Sequence, residues 1–306
     1  MMESDLDTVQ ITLPSIKFIT LFTFRFVVMK RILLSLVVLN ISLSADAQWF
    51  DEPIVELDTA RICVMYQLTY IEDTLYPNFK QQEKQILLAG HEASSYQSFN
   101  HHKFEMIGRQ KVREGQMIQW LQSGLSFDEY GYCFKYRIYK DQKHGTVTTR
   151  DYVFTVGSFK YEENKRCFDW DITSDTDTIH GYLSQKAICD FGGRRWEAWF
   201  APEIPYSDGP YKFCGLPGLI LKIADTKKHY DFTLISIERP PSGTMVECYD
   251  GGDYIITTKK GFFKVYDDNN KNLTNAVLDS GGDANVAQRA SQHAASKNNP
   301  IELDRK

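Results

Sequence analysis

The chain has 306 residues, a net charge of -5 and a sequence pI near 5.8, without a basic patch interleaved with aromatics. That balance argues against a nucleic-acid binder. Hydrophobic residues make up 42% and aromatics 13%, with 17 Tyr and 19 Phe, a composition that excludes a disordered chain and suits sheets better than helix bundles.

At the N-terminus, Met29, Lys30 and Arg31 begin a basic segment, ILLSLVVLNISLS supplies an apolar stretch, and Ala45-Asp46-Ala47 completes a small-x-small site. This order predicts a signal peptide over 29–47, cut before Gln48. Arg25, Lys30 and Arg31 oppose a membrane anchor over Phe18 to Leu39, because charges inside a span are costly in lipid. Residues 1–28 are expected to be an upstream extension of the reading frame, since a second Met directly precedes the basic pair. The predicted destination is the periplasm, the outer membrane or the medium.

Export sets the reading of the six cysteines, Cys63, Cys133, Cys167, Cys189, Cys214 and Cys248. An even number in an oxidising compartment allows disulfides of undetermined connectivity. Several also sit in strand-like runs, where Cys acts as a small buried hydrophobe. None forms a C-x-x-C pair, which disfavours structural zinc.

Residues 48–303 are expected to form one mainly β domain, an antiparallel meander curved into a sheet, half-barrel or sandwich, with one or two peripheral helices. Ile62 to Tyr70 alternates as a strand, Pro77 to Glu83 is a polar connector, and QILLAG and SSYQSF form a hairpin around Gly90. Asn100 to Gln122 shifts to three-to-four spacing and predicts a helical excursion. From Tyr132 the runs CFKYRIY, TVTTRDYVFTV, FKYEE, CFDWDIT, HGYLSQKAICDF, RRWEAWF, LILKIAD and HYDFTLISIE read as successive strands. Turns are expected at Lys143 to Gly145, Ser174 to Thr178, Gly192-Gly193 and Thr226 to Lys228. ECYDGG and DYIITTKKGFFKVY look like further strands, with Lys259, Lys260 and Lys264 blunting an edge. Residues 283–297 are Ala-rich and predict a short helix.

The densest signal is GGRRWEAWFAPEIPYSDGPYKFCGLPGLILKIAD, Gly192 to Asp225. Pro202, Pro205 and Pro210 each fix φ and remove a donor, so Ala201 to Tyr211 must be a stiff connection outside any ladder. Leu216-Pro217-Gly218 is a type II turn candidate. Trp196, Trp199, Tyr211 and Leu216 are placed near the mouth of a ligand site, although a strand crossover pinned over the core is the stronger reading of this stretch. Arg194 and Arg195 are able to hold an anion, and an exposed hairpin tip is equally served by their charge.

Here the chain resembles the GLPGLI family, a domain family of unknown function. The signature residues are Gly215, Leu216, Pro217, Gly218, Leu219 and Ile220, with Pro205, Gly209 and Pro210 upstream. FDWDI at Phe168 to Ile172, Gly181-Tyr182 followed by Lys186-Ala187, Trp199 ahead of Pro202, and NPIEL at Asn299 to Leu303 extend the likeness. The resemblance implies a secreted protein of a Gram-negative bacterium and brings no activity. Leu183 and Ser184 stand where relatives would carry a cysteine soon after Gly-Tyr, so no shared disulfide is carried over.

No G-x-S-x-G, H-E-x-x-H, phosphate loop or G-x-G-x-x-G occurs. His91, His101 and His102 suggest surface or capping histidines rather than metal ligands, because neighbours on a helix diverge by about 100°. Asp169, Asp171, Asp175 and Asp177 suggest a solvated strand face and acidic loop rather than a glycosidase pair or calcium loop. No cofactor and no metal are expected. The reading is a non-enzymatic envelope-associated binding module for an apolar small molecule or a peptide. A structural protein that meets an envelope partner is the alternative, and a hydrolase with dispersed residues the third.

Overall fold

A computed structural model describes residues 53–124, 131, 134–164, 168–249 and 252–305. The predicted upstream extension and signal peptide, Cys133 and Cys167 lie outside these residues. Glu52–Lys306 forms one compact unit, and all four apolar clusters of the described residues fall within it.

The expectation of a mainly β fold holds. Strands β2 (Ile62–Ile71), β3 (Lys80–Ala89), β4 (Ala93–Ser98), β5 (Arg137–Asp141), β6 (Thr146–Val153) and β7 (Gly157–Asn164) run as one antiparallel meander. A second comprises β8 (Asp171–Ile179), β9 (Tyr182–Phe191), β10 (Arg194–Ala201), β11 (Leu219–Asp225) and β12 (Tyr230–Glu238). Pairing of β12 with β2 joins the two. With β14 (Ile255–Thr257) parallel to β7, the result is a 12-stranded sheet that ends on β14 and β8 and does not close. Strand β1 (Ile54–Thr59) pairs with β13 (Met245–Tyr249) in a separate ribbon.

Alternation along the strands sorts residues to two faces. One face carries Val64, Tyr66, Leu68, Leu87, Tyr96, Ile138, Trp196, Ala198 and Phe232, all buried in the main core. The other carries Ile86 and Leu88, which meet Val246 of the ribbon and Phe99. Phe99 opens helix α1 (Phe99–Arg113), capped by Ser98, and α2 (Met117–Gln122) follows it. The predicted helical excursion is therefore real. His101 in α1 is buried rather than a surface histidine, because Glu105 and the Arg137 guanidinium enclose it.

Four local readings change. Lys80 to Glu83 belongs to β3, so the connector is only Glu72 to Phe79. Ser174 to Thr178 lies inside β8, where a register shift between Ile172 and Thr176 absorbs the polar run; the chain turns at His180-Gly181 instead, both at positive φ. KKGFFKVY is helix α3 (Lys259–Lys271), since Thr258 caps it through the Gly261 N–H and Phe262 with Tyr266 forms one helical face against β6 and β7. Strand propensity of the aromatics misleads there, and the lysines are not an edge guard: Lys259 is buried. Counting α4 (Leu273–Asp279) and the expected α5 (Ala284–Ser296), the described residues hold five helices, not one or two.

Candidate functional site

The connection from Ala201 to Leu219 is the site's backbone. Between those two paired strand residues it runs outside any ladder, as its prolines require, and turns back on itself through Tyr206 N–H to Ile204 O (2.7 Å) and Asp208 N–H to Tyr206 O (2.8 Å). Leu216-Pro217-Gly218 is not a type II turn. The Gly218 N–H donates to Leu216 O at 2.8 Å, two residues back, and Gly218 has φ 153; this is a three-residue turn centred on Pro217.

The mouth expected around the tryptophans is closed. Trp196, Tyr211, Leu216 and Arg194 are at most 6% exposed. Trp196 packs on Phe213 with ring centroids 4.8 Å apart and donates its indole N–H to Phe191 O at 3.0 Å. Trp199 lies on the other face of β10, half-buried beside Glu197. The physical reason is alternation: three residues apart on a strand, two side chains cannot face one cavity. The structure brings Trp196, Tyr211 and Leu216 into one core, Arg194 lies at its margin, and Trp199 is left out.

Arg194 is also occupied, by the chain's own tail. Its guanidinium donates to Ile301 O (2.9 Å), Asn299 Oδ1 (2.7 Å) and Pro300 O (2.6 Å), and pairs with Asp225 at 3.3 Å. Tyr230 donates to Asn299 O, and Asn299 Nδ2 to Ile71 O. Next along, Glu302 accepts from Tyr211 (2.7 Å) and Lys212 (2.9 Å) and pairs with Lys259. Lys212 and Lys259 also reach Glu163 of β7. NPIEL is thus a strap that fastens the connection to both meanders. Burial alone would raise the Glu302 carboxyl, but the two ammonium groups outweigh it and hold the acid below its usual range.

An accessible cavity lies at the other side of the connection. It is a cleft of about 490 Å³ lined by Arg61, Gly90, His91, Gln142 and Pro205 to Asp208, with Ala89 and Ala93 behind. The β3–β4 turn is fixed by Gly90 N–H to Ala93 O and by Asp58, whose carboxylate accepts from Glu92 and Ala93. On the facing wall, Asp208 is 3% exposed and committed to Lys140, whose Nζ also donates to Gly209 O and Phe213 O. Arg61 and His91 are exposed, and among the described residues their side chains make no hydrogen bond or ion pair. His91 was visible in the sequence only as a surface histidine. Arg61, Gln142 and Tyr206 gave no sequence signal, since three separate turns bring them together.

Ser207, His91 and Asp208 share this cleft, yet they form no relay. Asp208 turns inward to Lys140, and no hydrogen bond joins His91 to either of the other two. Among the described residues no group of three or more His, Cys, Asp or Glu is placed to hold a metal ion. Cys63 and Cys189 are free thiols.

Elsewhere, burial in β6 pushes the Asp151 carboxyl up to about 7, although the Tyr152 N–H and the Lys135 and Lys212 charges draw it down. A carboxyl that holds its proton to higher pH folded than unfolded lowers stability as pH rises, here between about 4 and about 7. Asp151→Asn should therefore gain stability relative to the parent between pH 5 and pH 8. Paired urea titrations at the two pH values check this; an unchanged difference between the proteins would contradict it.

Residues 191–222 match a family described as "Protein of unknown function (Porph_ging)". Among curated proteins no sequence matches the chain. Two crystal forms of PNGF-II are similar in structure. The P21 form shows 13% identity over 68% of this chain and 33% of that one, with a TM-score of 0.44. The C2 form shows 15% identity over 69% of this chain and 32% of that one, with a TM-score of 0.43. The chain therefore spans about a third of the length of those proteins.

Proposed function

We propose that the protein is an exported, non-enzymatic binding module of the cell envelope, that the likeness over 191–222 belongs to a wider GLPGLI-type domain, and that the cleft between the β3–β4 turn and the proline-rich connection is its recognition site. The ligand is a peptide end or small molecule with an apolar body and an anionic group. One observation carries this reading: Arg61 and His91, both without an internal partner among the described residues, line one cleft of about 490 Å³ with Pro205 and Tyr206, while the carboxylate among its lining residues, Asp208, is neutralised by Lys140. An exposed guanidinium in a cleft that also holds an aromatic ring suits a carboxylate or phosphate with a ring or chain beside it. Trp196, Tyr211 and Leu216 are buried in the core, so the ligand-binding reading moves from the tryptophans to the cleft.

The test is equilibrium binding of 3-phenylpropionate, a carboxylate with an apolar body, followed by amide chemical shifts. Shifts should cluster at Gly90 to Ala93 and Tyr206 to Asp208, and Arg61→Ala should weaken binding by about ten-fold or more, the loss of one charge-assisted pair. Absence of shifts there, or equal binding by the variant, would remove the proposal. Native mass spectrometry of the exported protein adds whether it carries a small molecule from the cell. Turnover with Ser207→Ala inactivating it would favour the hydrolase instead.

A further inference from the structure

The β2–β3 loop exposes Leu75 (77%), Tyr76 (66%) and Phe79 (69%) within five residues. A single exposed apolar side chain needs no explanation, but three held together form a patch. They are held by the loop's own bonding. Tyr76 N–H donates to Asp73 O and Phe79 N–H to Tyr76 O, two successive turns, the second with Pro77 in its favoured position. Asp73 Oδ1 accepts from Leu75 N–H and from Asn298, whose Oδ1 accepts in turn from the Thr74 N–H and hydroxyl. These bonds fix the backbone from which Leu75, Tyr76 and Phe79 project.

Charge around the loop is mainly basic. Glu72 is paired with Lys297, and Asp73 keeps its charge, hydrogen-bonded to the neutral Leu75 N–H and Asn298 amide. Lys80 follows Phe79, and Lys227 and Lys228 stand in the adjoining β11–β12 turn, whose His229 O accepts the Ile71 N–H at 2.9 Å. All three lysines are exposed and make no ion pair among the described residues.

We propose that this loop docks the protein on an anionic membrane surface, with Leu75, Tyr76 and Phe79 entering the headgroup layer while Lys80, Lys227 and Lys228 meet lipid phosphates. Aromatic rings beside lysines are the composition that settles at a bilayer interface, where rings sit at headgroup depth and ammonium groups reach outward. A small apolar tip binds weakly by itself, and basic residues near an anionic surface supply the second attraction. A protein partner fits less well, because three unpaired cations would each need an acid on it.

The test is co-sedimentation of the Gln48–Lys306 chain, which holds the whole compact unit, with vesicles of phosphatidylcholine alone or mixed equally with phosphatidylglycerol. Binding is expected only to the mixed vesicles, to weaken as salt is raised, and to fall by about ten-fold or more in the triple variant Leu75→Ser, Tyr76→Ser, Phe79→Ser. Lys80→Glu with Lys227→Glu and Lys228→Glu should abolish it, with unchanged circular dichroism in both variants. Equal binding by the serine variant, or equal binding to the two vesicles, would overturn the proposal. So would sedimentation equilibrium showing a dimer that the serine variant loses, alongside no vesicle binding, since the patch would then serve a second copy.

Discussion

Glu302→Ala should cost about 3–5 kcal/mol of folding stability, the usual effect of deleting one partner from a buried charged set. The carboxylate is 1% exposed and sits against two ammonium groups, Lys212 and Lys259, themselves nearly buried. Without it, Glu163 alone must answer both cations, and the Tyr211 hydroxyl loses its acceptor. Two cations left in a low-dielectric site dominate the loss; the missing side-chain contacts are minor. Urea unfolding measures the effect, and limited proteolysis should cut the strap between 297 and 305 in the variant before it cuts the parent. Glu302→Gln keeps the acceptor and loses the charge, so it should fall between the two. A change below about 1 kcal/mol would mean that the strap is not fastened by this charge.

The pH dependence follows from the direction of the shift. Glu302 is held below its ordinary value in the folded chain, so its contribution is complete above the unfolded value near 4.5 and is lost as pH falls through the folded one. Burial would lower Lys212, but Tyr161, Glu302 and Glu163 outweigh it and hold the ammonium above its ordinary 10.5. Its contribution is complete below that value and lost only in strong alkali. The strap is therefore at full strength across neutral pH and should loosen first on acidification. In the same titration Asp151 moves the other way, which separates the two groups.

The strands were legible because their alternation is strict. Ile62 to Tyr70 and Arg194 to Phe200 place every second residue in the core, and Gly192-Gly193 supplies the two positive φ values that a tight hairpin needs. Helix α3 was not legible, since Phe262, Phe263 and Tyr266 favour strands by propensity and only their spacing against β7 makes a helical face. The buried charges were hidden for a different reason. Lys140 lies in an alternating run like any exposed lysine, and its acid partner Asp208 is 68 residues away. Arg194 looked like an exposed hairpin cation, yet it is satisfied by carbonyls more than 100 residues later. Long-range polar pairing leaves no period in a sequence, and the candidate cleft is made of such long-range neighbours. Proline and glycine, by contrast, act on their own backbone, which is why the connection was readable and its contents were not.

Gly218→Val should destabilise the fold by about 4 kcal/mol or more, at the far end of what single substitutions do. Gly218 closes the connection, where Leu219 pairs with Ala201 and the two arms of the crossover meet. A Cβ built there would lie 2.2 Å from Ala201 O and 2.9 Å from Pro202 Cα, both backbone atoms that cannot swing aside. Its φ of 153 adds strain for any branched side chain. Even Gly218→Ala meets the same clash, so it should lose most of that amount, whereas Pro217→Ala, which leaves the close approach intact, should lose far less. Thermal unfolding of the three variants orders them. If the valine and alanine variants melted within a few degrees of the parent, the chain would have a second way to cross between β10 and β11, and the glycine would not be what holds the connection over the core.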